Sequence, residues 1–521
     1  MPALRSRRRP DRLEFGAILE GASWNNPGYL LSMIATSSSS HTVSPGPRSG
    51  SVAPPAEIDA SCRVAVMVLL ACAAAWLVVA SGFGLIASLK FHAPNLLADS
   101  PWFTYGRVQP ARVNALIYGF AAQAGLGIAL WMIARLGRTL LVQPGYIVVG
   151  ALLWNVGVKL GVFGILIGDT TSYEWLEMPG YASPILFAAY AIIGIPALLT
   201  FHHRREPTLY VSQWFLLAAL FWFPWIYSTA NLLLVFFPVR GVLQAVVDWW
   251  YVNNLSQIWL GFIGLAAIFY FLPKLTARPL YSNYLAILAF STLALFGGWG
   301  GIHSGAPVPA WMPSLSTVFT VLTAIPLIAI TINLNRTFTG AIAKLKESLP
   351  LKFVVFGAVA YLLAGALAIV SAFPQFSQIT HFTLFTPART QLFLYGFFAM
   401  TMFGAIYHVV PLLIQNEWPS ARLVRAHFAL AMLGLAFYVG SLSVGGILQG
   451  LALNDPQVPF AGALNRALVC FRVGTLGDLL MAAGNVCLAL NLAWLLARCC
   501  RACCVPAIMS AVKPQMAEAA R

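Results

Sequence analysis

The sequence predicts an all-α, polytopic integral membrane protein with twelve transmembrane helices, and three observations predict it. Hydrophobic residues occupy 59% of the 521 positions and charged residues only 9%, against about 25% charged in a soluble domain. Mean hydropathy is +0.78. Apolar stretches of the roughly 20 residues that a spanning helix needs recur from residue 64 onward, with Lys and Arg gathered at alternate ends. This composition excludes a soluble enzyme, a nucleic-acid-binding domain and a disulfide scaffold.

Residues 1–62 read as a disordered basic cytoplasmic tail, Arg-rich at first and then Ser/Pro-rich (SSSSHTVSPGPRSGSVAPP). No run in it is apolar enough for a signal peptide. The first span, 64–88, follows Arg63. The second, 113–134, comes after Trp102 and Tyr105 and stops at Arg135. The third, 146–168, holds Lys159, and the fourth, 182–201, ends against Arg204 and Arg205. The fifth, 210–237, contains Pro224; the sixth, 243–272, carries Trp249 and Trp250 near its start and stops before Lys274. The seventh is 280–302, and the eighth, 312–334, follows Trp311 and contains Pro326. The ninth is 353–373, and the tenth, 389–413, contains Pro411. The eleventh, 427–451, follows Arg422 and Arg425, and the twelfth is 469–497. Internal prolines are tolerated where packed membrane helices re-satisfy the backbone, and Trp and Tyr near the ends form interfacial belts.

The formal charge of +15 is mostly topology. With the N-terminus inside, the two tails and the even-numbered loops hold 23 of the 31 Lys and Arg residues. The outer loops and helix mouths hold six, and Lys159 and Arg472 fall within spans. The acidic loop with Asp169, Glu174 and Glu177 lies outside. This asymmetry is the positive-inside rule, and it places both termini in the cytoplasm. Residues 499–521 read as a short cytoplasmic tail opening with Cys499, Cys500, Cys503 and Cys504. With no His or carboxylate beside it, this cluster reads as reduced thiols; a metal clip or acylation site is the alternative. No CxxCH heme-attachment motif is present, and no internal repeat suggests an inverted-repeat transporter.

Five stretches carry a resemblance. They are WFTYGRVQPARVNALIYGF (102–120), YVSQWFLLA (210–218), DWWYVNN continuing to FYFLPKLTARPLYS (248–282), HFT (381–383) and FGAIYHVVPLL (403–413). In these the chain resembles subunit I of the C-family heme-copper oxidases, the cbb-type cytochrome c oxidases, over about three quarters of its length. The resemblance implies a twelve-helix bundle with both ends inside. It also implies a low-spin heme between a His of the second helix and a His of the tenth. A high-spin heme would hang from another tenth-helix His two residues earlier, facing a copper held by one His of the sixth helix and a His pair of the seventh.

Carried over position by position, that ligand set is broken. The heme-ligand positions are Arg112, Arg389 and Gln391; the copper-ligand positions are Asn253, His303 and Ser304. The tyrosine that the family cross-links to its copper ligand falls at Gly297, and the acidic residue of its ninth helix at Leu367. Imidazole supplies a directed neutral nitrogen that few other side chains replace, and only His303 remains. The other histidines (His41, His92, His202, His203, His381, His408 and His427) supply no alternative set; His408 reads as an interior histidine deep in the tenth span.

The six ligand-equivalent positions share one layer near the outer face, because even-numbered spans begin there and the seventh ends there. Asp248, about one and a half turns above Asn253, reaches this layer and is expected to partner one of the arginines. A lone Arg at mid-membrane costs about 2.5–3.5 kcal/mol; the alternative is that both arginines snorkel to the surface.

The expected function is therefore that of a subunit I-like protein without its own heme-copper centre, a scaffold or accessory subunit in a respiratory complex. No cofactor is expected on this chain, although the family would carry heme b and copper. Expected partners are the lipid bilayer and membrane-bound cytochrome c-type subunits, with no nucleic acid, in the plasma membrane of a bacterium. Two alternatives are an active terminal oxidase, passing electrons from cytochrome c to oxygen with proton translocation, and an anion or proton conductor reusing the vacated cavity.

Overall fold

The computed structural model describes residues 53–519, with side chains for 53–500. Residues 1–52, most of the expected tail, lie outside the described residues. Among those described the chain is helical and contains no strand.

Twelve principal helices follow in order. They are α1 (Pro55–Leu89), α2 (Tyr105–Gly137), α3 (Pro144–Ile167), α4 (Ala182–His202), α5 (Val211–Phe236) and α6 (Leu243–Thr276). Then come α7 (Asn283–Trp299), α8 (Trp311–Phe338), α9 (Leu349–Ala372), α10 (Phe385–Ile414) and α11 (Ala421–Leu453). The last, α12, runs Phe460–Ala519. Eleven are long and apolar enough to cross a membrane, and α7 is a shorter apolar helix. Twelve expected spans thus correspond to twelve helices, one of them cut short.

The helix ends follow local chemistry. Pro55 and Pro144 stand in the first turns of α1 and α3, where a missing N–H costs nothing. Ser282, Ser348 and Ser420 cap α7, α9 and α11, each accepting a backbone N–H three residues on at 3.2–3.3 Å, a substitution-sensitive bond worth about 1 kcal/mol. The helix α1 begins at Pro55 rather than 64, because a proline start followed by helix-compatible residues carries the helix beyond its apolar stretch. At the other end α12 continues through the cysteine cluster instead of stopping before it; the side chains of Cys503 and Cys504 lie outside the described residues.

The core sits on α2, α6 and α10, which are buried over 100%, 89% and 83% of their most apolar stretch, against 22% for α8. Trp131, Trp259 and Phe262 on α2 and α6 are fully buried. The ring is closed where α12 lies along α11 and α1. Gly434 and Gly477 allow the close approach of α11 and α12: a Cβ on Gly434 would stand 2.8 Å from the Gly477 carbonyl oxygen, a small-residue contact typical of packing in lipid.

Each central helix changes winding part-way along its length. The segments Ala115–Ala121, Asn254–Leu260 and Leu392–Ala399 are π-helical, and they begin three residues after Arg112, one after Asn253 and one after Gln391. Such widened turns re-aim side chains and occur often at functional sites. A fourth, Asn231–Phe236, ends α5.

Candidate functional site

The six residues expected at ligand positions line two cavities. One, of about 30 Å³, is lined by Arg112, Gln391, Tyr395, Asp478, Met481 and Asn485. The other, of about 200 Å³, is lined by Asn253, Gly297, His303, Ser304 and Arg389, with Glu174, His381 and Ser371. Arg389 and Gln391, two residues apart on α10, serve different cavities.

In the small cavity Arg112 faces Asp478 of α12. Its Nη2 donates to Oδ1 at 2.8 Å and its Nη1 to Oδ2 at 3.4 Å, with side-chain exposures of 10% and 5%. Ser88 of α1 also donates to Asp478 Oδ2. Thr475 Oγ1 donates to the Ser88 carbonyl at 3.3 Å, and the His92 ring lies 3.1 Å from Thr475 Oγ1. The guanidinium lies over Tyr438 of α11 at 5.6 Å. Gly84 makes the room, because a Cβ there would stand 3.1 Å from Arg112 Nε. Below the pair, Gln391 Nε2 points at Met481 Sδ at 3.7 Å. Tyr395 donates to Asn485 Oδ1 at 2.7 Å, and Asn485 donates to Ser81 at 2.9 Å.

Two expectations are corrected here. Arg112 neither snorkels nor pairs with Asp248: it is buried against Asp478. Asp248 turns to the loop between α3 and α4 instead, where its Oδ2 accepts the Glu174 N–H at 3.1 Å and its Oδ1 has no partner among the described residues. A buried Arg in an apolar setting requires an anionic partner, and a carboxylate in the last span was the available signal: Asp478 stands alone in GTLGDLLMAAG, and an intramembrane acid is a functional candidate by default.

In the large cavity Asn253 Nδ2 donates to the Gly297 carbonyl at 2.8 Å. This bond joins α6 to α7 at two positions that the resemblance singles out. Expected at the end of the seventh helix, His303 and Ser304 stand just beyond it. Glycines at 297, 298, 300 and 301 dissolve the helix, which tightens at Gly297–Trp299, and Gly301 adopts φ +98°. The His303 and His381 rings are 3.8 Å apart at 36°, with Trp249 edge-on to His303 at 5.0 Å. Burial first, then the neighbouring His381 and Arg389, pushes the His303 imidazole down to about 3, so it is neutral. His381 is shifted the same way by burial and Arg389.

The remaining histidines stay apart from this cavity. His408 packs against Phe271 at 5.7 Å. His427, expected at the mouth of the eleventh span, is fully buried nearly two turns into α11, with Nδ1 at 2.9 Å from the Tyr407 hydroxyl. Lys159 is exposed on the outside of α3 and contributes to neither cavity. His41 lies outside the described residues.

The donor set does not fit two hemes and a copper. A guanidinium holds its protons and offers no lone pair, Gln391 and Asn253 present donating amides, and the rings of His303 and His381 stack rather than converge. Among the described residues no group of three or more His, Cys, Asp or Glu is arranged to hold a metal ion.

The sequence pattern of the family described as "Cytochrome C and Quinol oxidase polypeptide I" matches residues 64–480. The cbb3-type cytochrome c oxidase subunit CcoN1 of Stutzerimonas stutzeri is 29% identical over 436 residues, covering 80% of this chain and 91% of that protein. A cytochrome c oxidase subunit 1 homolog of Azorhizobium caulinodans is 27% identical, covering 80% and 79%. A solved heme-copper terminal oxidase dimer contains a chain that superposes with TM-score 0.70 at 14% identity, over 83% of this chain and 84% of that one.

Proposed function

Because the chain belongs to the cytochrome c and quinol oxidase polypeptide I family, we propose that it is a subunit I-like protein that works without a heme-copper centre of its own. It is a multi-pass membrane protein, and its bacterial relatives imply the plasma membrane. Its role in this reading is that of a scaffold or accessory subunit in a respiratory complex, docked to membrane-bound cytochrome c-type subunits, with both termini cytoplasmic. One observation carries the reading: where the family would ligate a heme from the second helix, a buried ion pair, Arg112–Asp478, fills the layer. Family membership gives the frame, while function depends on the site, and five of the six ligand-equivalent positions here are not His.

The test is a pyridine haemochrome spectrum with copper analysis on the purified protein, separated from its partners. Absence of both is expected. Stoichiometric heme and copper would overturn the reading and restore that of a terminal oxidase.

A further inference from the structure

The large cavity contains a cation with no carboxylate in contact, Glu174 lining the same wall at longer range. Arg389 lines it from α10. Among the described residues no carboxylate lies within 4 Å of its guanidinium, and none of its N–H groups has a protein acceptor; Glu174 acts on it only at longer range. Arg112, one cavity away, shows the contrast, with a bidentate carboxylate at 2.8 Å. A guanidinium stays charged under all ordinary conditions, and leaving it unpaired away from bulk water is costly.

The rest of the wall is mostly uncharged, Glu174 apart. The stacked His303–His381 pair supplies ring faces. The Ser371 hydroxyl is buried with no partner, an unused donor in the wall of the same space. At about 200 Å³ the cavity has room for roughly six waters at about 30 Å³ each, or for a small ion with part of its hydration. It reaches the outer loop at Ser304, which is exposed.

We propose that this cavity is a binding site for a small monovalent oxyanion or carboxylate, of the size of nitrate or acetate, held by the Arg389 guanidinium. The planar fork of Arg matches two oxygens of such an anion at once. The inference rests on the reading that the cavity carries no heme.

The experiment uses the full chain in phosphatidylcholine nanodiscs, with heme content measured first on the same sample. Sodium nitrate and sodium acetate are titrated calorimetrically, with sodium lactobionate, a disaccharide acid too large to enter, as the ionic-strength control. Saturable binding of nitrate or acetate, with none for lactobionate, is expected. Arg389→Gln is expected to weaken it at least tenfold, and Arg389→Lys less. Ala368→Phe keeps the charge but fills the cavity, and is expected to abolish binding; its folding is checked by its melting transition without ligand. A heme-free protein that binds neither anion, or an R389Q variant that binds as wild type does, would overturn the anion site and leave the heme-free reading intact. Heme in the sample would instead overturn the reading beneath it. A repeat with phosphatidylglycerol in the disc identifies the source of the anion. Unchanged nitrate affinity is expected; displacement of nitrate by the anionic lipid would assign the cavity to a headgroup phosphate and overturn the soluble-anion proposal.

Discussion

Arg112 and Asp478, 366 residues apart in the chain, meet at 2.8 Å between α2 and α12. Through Ser88 and Tyr438 the pair also engages α1 and α11, so one interaction joins four helices. Breaking a buried pair by removing one partner strands a charge and costs about 3–5 kcal/mol, whereas replacing both partners by apolar residues is often close to neutral. Asp478→Ala is therefore expected to lower the melting temperature sharply in detergent, and Arg112→Leu with Asp478→Leu to recover most of the loss. A double variant as unstable as the single one would show that the pair does not act as a unit.

The Asn253 amide ties α6 to α7 through the Gly297 carbonyl at 2.8 Å. Gly297 is buried, and an acceptor left bare there costs about 1–3 kcal/mol. Asn253→Ala is expected to destabilise by that amount and to loosen the 300–310 loop. Hydrogen exchange at Gly300 and Gly301 measures it, and unchanged exchange would refute the link.

Glu177 sits in the loop between α3 and α4 and is held by Asn114 Nδ2 at 2.6 Å. Burial raises its carboxyl to about 7 despite that hydrogen bond. Its folded pKa lies above the unfolded one, near 4.5, so the stability it contributes is complete below pH 4.5 and is lost as pH rises through 7. Glu177→Gln is expected to flatten this part of the stability curve, making the variant relatively more stable above pH 7 by about 1–2 kcal/mol. Melting curves between pH 5 and 8 in the two proteins decide it; parallel curves would count against the shift.

His303 carries the opposite sign. Its folded pKa, near 3, lies below the ordinary 6.5, so its contribution is complete above pH 6.5 and is lost as pH falls toward 3. Among the rings that stay neutral from pH 8 to 5 in selectively labelled histidine, one should disappear in His303→Asn. A His303 signal titrating near 6.5 would refute the stacked, buried arrangement with His381.

Most of the bundle was legible because the demand that makes a spanning helix is local. About 20 apolar residues and a charge bias at the ends identify each span without reference to its neighbours. Boundaries slipped where a different local rule governs. The proline at residue 55 starts α1 early, and the glycines after Phe296 stop α7 before His303. The candidate positions came from the family resemblance carried over position by position, and the structure gathers Arg112 and Gln391 at one cavity and Asn253, Gly297, His303, Ser304 and Arg389 at the other.

Composition, span pattern and the identity of each ligand-equivalent residue belong to the sequence by itself, since each depends on one segment at a time. The partners of the two arginines belong to the tertiary structure. The height of α12 beside α2 puts Asp478 against Arg112, while the 174–177 loop takes Asp248 and leaves Arg389 facing open space. A membrane charge finds its partner by position in three dimensions, and in this bundle residues hundreds of positions apart share one layer.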